Sequence, residues 1–247
     1  MAARTSAGPG YRDAVARLST AQKTSKGAPA YSRYINRRLG RYLAALAHQT
    51  GLRPNQVTAI SAVCTFSGIA TAVLAGPGPL AAIVIPALLI LGYALDSADG
   101  QLARLTGGGS PAGEWLDHTV DAFKVGSIHL AVLVCWWRFF PLETAWLLVP
   151  LIFQVAATVH FVSTLLMDQL RRGNRAHHGT LVAGDGHSSA LYSLAVVPTD
   201  FGLMCLVFFL FAWPAAFVGV YSALCAATVA FLLLALRKWY REVKAWN

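Results

Sequence analysis

The chain has 247 residues, 56% of them hydrophobic and only 13% charged, with a mean hydropathy of +0.52. A soluble domain carries about twice that charged fraction, so composition excludes an ordinary soluble protein and implies a polytopic membrane protein. The net charge of +9 would suggest nucleic acid on a soluble chain; beside apolar spans it implies positive-inside topology and attraction to anionic headgroups, with no nucleic-acid partner.

Residues 1–30 are polar and carry no apolar run of signal-peptide type. They are expected to be a mobile basic tail with a short helix near Arg12 to Gln22. Residues 31–247 form the expected membrane domain. It opens on an amphipathic juxtamembrane helix, residues 31–50, in which Ile35, Leu39, Tyr42, Leu43 and Leu46 recur at helical spacing. Arg33, Arg37, Arg38 and Arg41 fill much of the remaining surface, the pattern of a helix lying in the membrane interface.

The run GLRPNQVT, Gly51 to Thr58, turns into the first of six predicted spans, which together occupy residues 57–236. The first covers residues 57–75, the second 80–106, the third 112–136, the fourth 143–170, the fifth 190–212 and the sixth 215–236. Each approaches or exceeds the roughly twenty residues that a bilayer core requires. The fold class is therefore all-α. Ten of the twenty Lys and Arg residues precede Val57, four close the chain, and the predicted outer loops hold only Arg138. Both termini are thus expected on the cytoplasmic side of a cell membrane. Cys64, Cys135, Cys205 and Cys225 lie in apolar runs without metal-ligand spacing and read as small core residues.

The stretch from Leu95 to Lys124 stands apart, because it places Asp96, Asp99, Asp117 and Asp121 between apolar runs. At 100° per residue, Asp96, Asp99, Gly100 and Ala103 share one helical face, with Arg104 at its edge. Gly113, Asp117 and Asp121 stack on one face of the next helix. GGGSP, Gly107 to Pro111, turns between the two. Folding back at that turn brings the acidic faces together. Four converging carboxylates repel unless cations lie among them, and hard divalent ions with oxygen ligands suit the task.

The stretch reads D-x2-D-G-x2-A-R-x8-G-x3-D-x3-D from Asp96 to Asp121. It resembles the signature of the CDP-alcohol phosphotransferases, integral membrane enzymes of phospholipid synthesis, at all eight fixed positions. The resemblance implies attack of an acceptor hydroxyl on a CDP-alcohol donor, such as CDP-diacylglycerol, with release of CMP. It implies two Mg2+ or Mn2+ ions held by Asp96, Asp99 and Asp117, with Asp121 completing the cluster and acting as general base. Gly100, Ala103 and Gly113 then leave room for the nucleotide, Arg104 holds a phosphate, and Asn55 and Thr58 line the pocket. The family's usual homodimer is implied as well, and a CDP-inositol-type transferase is an alternative within it. A transporter or ion pathway would suit buried ionisable residues but gives no reason for the Gly-x2-Ala-Arg register. A prenyl-transferring enzyme would use paired acidic helices but usually in a soluble bundle.

Depth along the spans suggests the acceptor site. Lys124 lies about 18 Å into the third span at 1.5 Å per residue, and His160 and Asp200 fall at similar depth. These three are expected to border a polar acceptor pocket, with a structural pairing of Lys124 with Asp121 or Asp200 as the competing reading. Arg171, Arg172 and Arg175, with His177 and His178, would meet a phosphorylated acceptor or would simply be solvated inner-side charge.

Overall fold

A computed structural model of the protein describes residues 10–20, 29–178 and 197–246, and every regular element among them is a helix. Helix α1 is Tyr11–Thr20, and α2 is Arg37–Gln49, led in by a π-helical turn at Ser32–Asn36. The apolar helices follow: α3 Pro54–Leu74, α4 Ala81–Leu105, α5 Pro111–Phe139 and α6 Leu148–His178. The short α7, Phe201–Val207, and the long α8, Pro214–Lys244, complete the bundle.

Among the described residues, five helices are long and apolar enough to cross a membrane: α3, α4, α5, α6 with its lead-in turn, and α8. The chain is an integral membrane protein. The predicted fifth span is the exception. Its first residues lie outside the described ones, and from Pro198 on it is broken. Asp200 is non-helical and accepts the Gly202 amide as N-cap of α7, and Thr228 on α8 holds the Pro198 carbonyl at 2.9 Å. A proline and a capping aspartate two residues apart give the helix a reason to start late.

Helices α6 and α8 overrun the spans predicted for them, ending at His178 and Lys244. Their C-terminal ends are tied by a two-pronged ion pair, in which Arg171 Nε and Nη2 donate to Glu242 at 2.7 and 2.8 Å. At the opposite end of the bundle Arg138 Nη1 donates to the Val73 carbonyl at 2.7 Å, so the cation closing α5 serves the C-terminal turn of α3. The core around the end of α5 and the start of α8 is aromatic, built on the buried rings of Trp136, Phe208, Phe211, Phe217 and Tyr221. The buried His129 stacks on Phe153 and shares a 2.8 Å hydrogen bond with the Tyr221 hydroxyl.

The tightest crossing is α3 on α4. Ser61 Oγ donates to the Gly92 carbonyl at 2.8 Å, and a Cβ at Gly92 would run into Thr65 Oγ1 and the backbone of Ser61 and Thr65. Gly68 meets Leu88 and Leu89 one crossing further out. Small residues let two backbones approach where no hydrophobic force drives them together.

Helix α2 turns Ile35, Leu39, Tyr42 and Leu46 outward, exposed as expected of an interfacial helix. Its opposite face, Asn36, Gly40, Ala44 and Ala47, is buried against α4. Two side chains stitch that contact: Asn36 Nδ2 donates to the Tyr93 carbonyl and Gln101 Nε2 to the Arg37 carbonyl, both at 3.0 Å. Helix α1 is not the free tail that polarity suggested. It buries Ala14 and Leu18, the latter in a cluster with Ala44, Ala47, Val57, Ala98 and Leu102. Helix α1 matches the short helix expected near Arg12 to Gln22; low hydropathy did not disclose that its apolar stripe docks on the bundle.

If the α3–α4 crossing sets the fold, Gly92→Val should lower the melting temperature in detergent, by about 1–3 kcal/mol of stability for an overpacked core. Gly126→Ala, where a Cβ meets open space within a helix, should not lower it.

Candidate active site

The turn between α4 and α5 explains how the acidic faces meet. Gly107 and Gly108 have φ of +111° and +113°, a region that strains any residue with a side chain. Ser110 then caps α5, its Oγ accepting the Gly113 amide at 3.0 Å, and Pro111 occupies the first turn. The helix that follows carries Asp117 and Asp121 back toward α4.

The carboxylates of α4 and α5 lie within each other's field. Asp96 senses the charges of Asp99, Asp117 and Asp121, and Asp99 those of Asp117 and Asp121. Between the two helices lies the ammonium of Lys124, which pairs with Asp121 and stands 3.5 Å from Asp96 Oδ1. Asp96 Oδ1 and Asp121 Oδ1 are buried, and the Lys124 ammonium is the donor that faces both. Asp99 is held differently, accepting the Thr58 hydroxyl on Oδ2 at 2.5 Å. Thr58 therefore serves a carboxylate directly, and α3 contributes to the site through it.

Other residues named from the sequence lie near this centre. Asn55 Oδ1 lies 3.2 Å from where a Cβ on Gly113 would stand, so the start of α3 and the start of α5 share one wall. Gly100 has only Arg104 Nη1 at ordinary contact distance from such a Cβ, 3.7 Å, which leaves the α4 face open beside Asp99. Arg104 lies close enough to Arg37 and Asp99 for their charges to act on it. Ala103 is half-buried on the same face.

The expected acceptor residues do not stay together. Asp200 is buried with both oxygens occupied: Oδ2 accepts the Ser32 amide at 2.9 Å, and Oδ1 accepts the Gly202 amide at 2.9 Å and the Tyr93 hydroxyl at 3.3 Å. It is a latch between the start of the interfacial segment, α4 and α7. The Tyr31 ring seals it, lying where a Cβ on Gly202 would stand, and burial raises the Tyr31 phenol above its ordinary pKa, with Cys205 and Asp200 adding in the same direction. His160 packs against Phe231 and Trp239 of α8. Arg171 is committed to Glu242 and Arg172 to Glu114, the latter at 2.8 Å. These arginines clamp helix ends to one another, because each finds a carboxylate on a neighbouring helix. The side chains of Arg175, His177 and His178 lie outside the described residues.

Three residues escaped the sequence reading. Tyr93 and Phe201 present their rings to the Lys124 ammonium, at 5.8 and 5.0 Å from the ring centroids. Tyr93 precedes Asp96 by one helical turn, a spacing that was readable; the approach of Phe201 from α7 was not. His118 groups with Asp117 and Asp121, their ligand atoms within 4.8 Å of one another. It also borders a groove of about 750 Å3 between α5 and α6, lined by Trp115, Phe123 and Phe161.

These donors fit a divalent cation. They are carboxylate oxygens from two helices, two of them buried and balanced by the single Lys124 ammonium, a set that suits hard ions of the Mg2+ and Mn2+ type. The fold and site thus define an integral membrane protein whose polar centre is a carboxylate cluster between two spans. The sequence profile of the CDP-alcohol phosphatidyltransferases matches residues 52–241, and the chain belongs to that family. It is a transferase that moves a substituted phosphate group from a CDP-alcohol to an acceptor hydroxyl.

Among solved structures, the chain is similar to the phosphatidylinositol phosphate synthase PgsA1 of Mycobacterium tuberculosis with CDP-DAG bound. The identity is 19%, over 83% of this chain and 94% of that one, with a TM-score of 0.55. The same enzyme in complex with manganese and citrate aligns at 22% identity over 80% of this chain and 87% of that one, with a TM-score of 0.49. At such identities the likeness is one of fold. No curated protein matches the sequence.

The latch can be tested directly. Asp200→Ala strands three donors, and should cost about 1–3 kcal/mol of stability while speeding hydrogen exchange at the Ser32 and Gly202 amides. Exchange as slow as in the wild type would show that Asp200 does not hold this junction.

Proposed function

We propose that the protein transfers a phosphatidyl group from CDP-diacylglycerol to the hydroxyl of a second alcohol at the cytoplasmic face of the membrane, releasing CMP. The observation that carries this reading is the meeting of Asp96, Asp99, Asp117 and Asp121 across α4 and α5, in the register that also brings Gly100, Ala103, Arg104 and Gly113 to the same place. CDP-DAG in the mycobacterial enzyme of like fold supports the choice of donor. The basic ends of α2, α6 and α8 lie at the α4–α5 turn end of the bundle and support the cytoplasmic placement. The family's usual homodimer is part of this reading.

When bound by the four aspartates, a pair of Mg2+ or Mn2+ ions would neutralise the diphosphate and the departing CMP. The chain's own residues carry the remaining work. Gly100, Ala103 and Gly113 leave the nucleotide room against two helix backbones, and Asn55 closes the wall over Gly113. Arg104 binds a diphosphate oxygen from the α4 side. Thr58 holds Asp99 in place by donating to its Oδ2. Asp121 takes the proton of the acceptor hydroxyl. The acceptor oxygen then bonds to the phosphorus that carries the diacylglycerol, and the bond from that phosphorus to the CMP oxygen breaks, its electron pair leaving with CMP. Of the residues expected at the acceptor, Lys124 alone lies beside this base.

The test is CMP release from CDP-diacylglycerol, and from CDP-inositol, against a panel of alcohols with and without a chelator. Release should require a divalent ion. Asp121→Asn should lower it by about 10²–10⁴-fold, as loss of a general base does, with nucleotide binding largely kept. Asp96→Ala should instead lose metal-dependent nucleotide binding. Release at the wild-type rate in Asp121→Asn would remove Asp121 as the base.

A further inference from the structure

Lys124 is a lysine in an unusual place. It is 5% exposed, lies mid-way along a membrane helix, and puts its ammonium on the oxygens a divalent ion would use. The contacts come from three elements. Asp96 faces it from α4, 3.5 Å away, and Asp121 pairs with it from its own helix. The rings of Tyr93 on α4 and Phe201 on α7 also face it, at 5.8 and 5.0 Å from their centroids. Those rings are themselves fixed. The Tyr93 hydroxyl is held by Asp200 at 3.3 Å, its backbone carbonyl by Asn36 at 3.0 Å, and Phe201 meets it edge-on. The ammonium can therefore shift from the carboxylates toward two aromatic faces without entering either lipid or water.

We propose that Lys124 is a tethered counter-cation that competes with divalent ions for Asp96 and Asp121, so that tight ion binding requires the donor's diphosphate. This rests on the metal-dependent reading of the cluster given above. The physical reason is charge balance in a medium that screens poorly. The four carboxylates less the one ammonium carry less negative charge than two divalent ions bring. Filling the cluster with ions alone would leave Lys124 beside an excess of positive charge. A diphosphate supplies the missing negative charge and turns the same ammonium from a competitor into a neighbour of an anion. Ions and donor then bind with positive coupling, each raising the other's affinity by the same factor. In this role Lys124 is a positioning residue that acts on the ion site through its carboxylates.

The experiment is Mn2+ binding to the full chain in detergent, followed by the electron paramagnetic resonance of the free ion, with and without CDP. In the wild type, CDP should tighten Mn2+ binding about tenfold or more. Lys124→Met should bind Mn2+ alone about tenfold more tightly than the wild type, and the gain from CDP should shrink correspondingly. Lys124→Arg keeps the charge and should behave as the wild type does. If Lys124→Met is not recovered folded, Lys124→Gln is measured in its place with the same expectation. Mn2+ affinity that is unchanged or weaker in the neutral variant overturns the proposal and leaves the transferase reading standing. A wild type that binds no Mn2+ with or without CDP overturns both.

Discussion

The structure depends on a repulsion that has to be balanced. Four carboxylates from two neighbouring helices share one region between membrane spans, where water is scarce and like charges act over several ångströms. Bringing them together without compensation would be costly, and the fold compensates in two visible ways. Thr58 donates to Asp99 from α3, and Lys124 sets its ammonium between Asp96 and Asp121. A buried charge that finds both a partner and a hydrogen bond is tolerated; one that finds neither shifts to neutral or unfolds its surroundings.

The remaining architecture holds these few side chains in register. The close approach of α3 and α4 at Gly92 brings Thr58 within reach of Asp99. The glycine turn and the Ser110 cap aim α5 back at α4. The interfacial helix is more than an anchor, because its small-residue face is stitched onto α4 on either side of the acidic turn. Asp200 then ties the beginning of that segment to α7, and through Tyr93 to the aromatic wall behind Lys124. A change in the juxtamembrane segment would thus be felt at the carboxylates through packing and hydrogen bonds alone.

The arrangement suits a substrate with two natures. A CDP-linked lipid has a diphosphate that belongs in a charged cavity and chains that belong in the bilayer. A cluster lying between two spans, beside the interface and an apolar groove between α5 and α6, offers both environments within a short distance. A soluble site would have to extract the lipid, and a site at the bilayer centre would have to dehydrate the nucleotide.

Most of the helices, and the acidic faces on two of them, were legible from the chain, because both rest on periodicity and on short-range chemistry. Apolar runs of span length, a Gly-Gly-Gly-Ser-Pro turn and aspartates at i, i+3 and i, i+4 are local facts, and local facts survive folding. What the chain did not disclose was which partner each charged side chain would take. Asp200, His160 and Arg171 read as polar groups at a site or as inner-side charge, and Lys124 as either a site residue or a partner of Asp121 or Asp200. Only packing decided that Asp200 caps a helix, that His160 lies among aromatic rings, that Arg171 clamps Glu242 and that Lys124 joins the aspartates. Depth along a helix follows from counting residues. The direction a side chain faces, and what waits for it there, depends on neighbours that are distant in sequence.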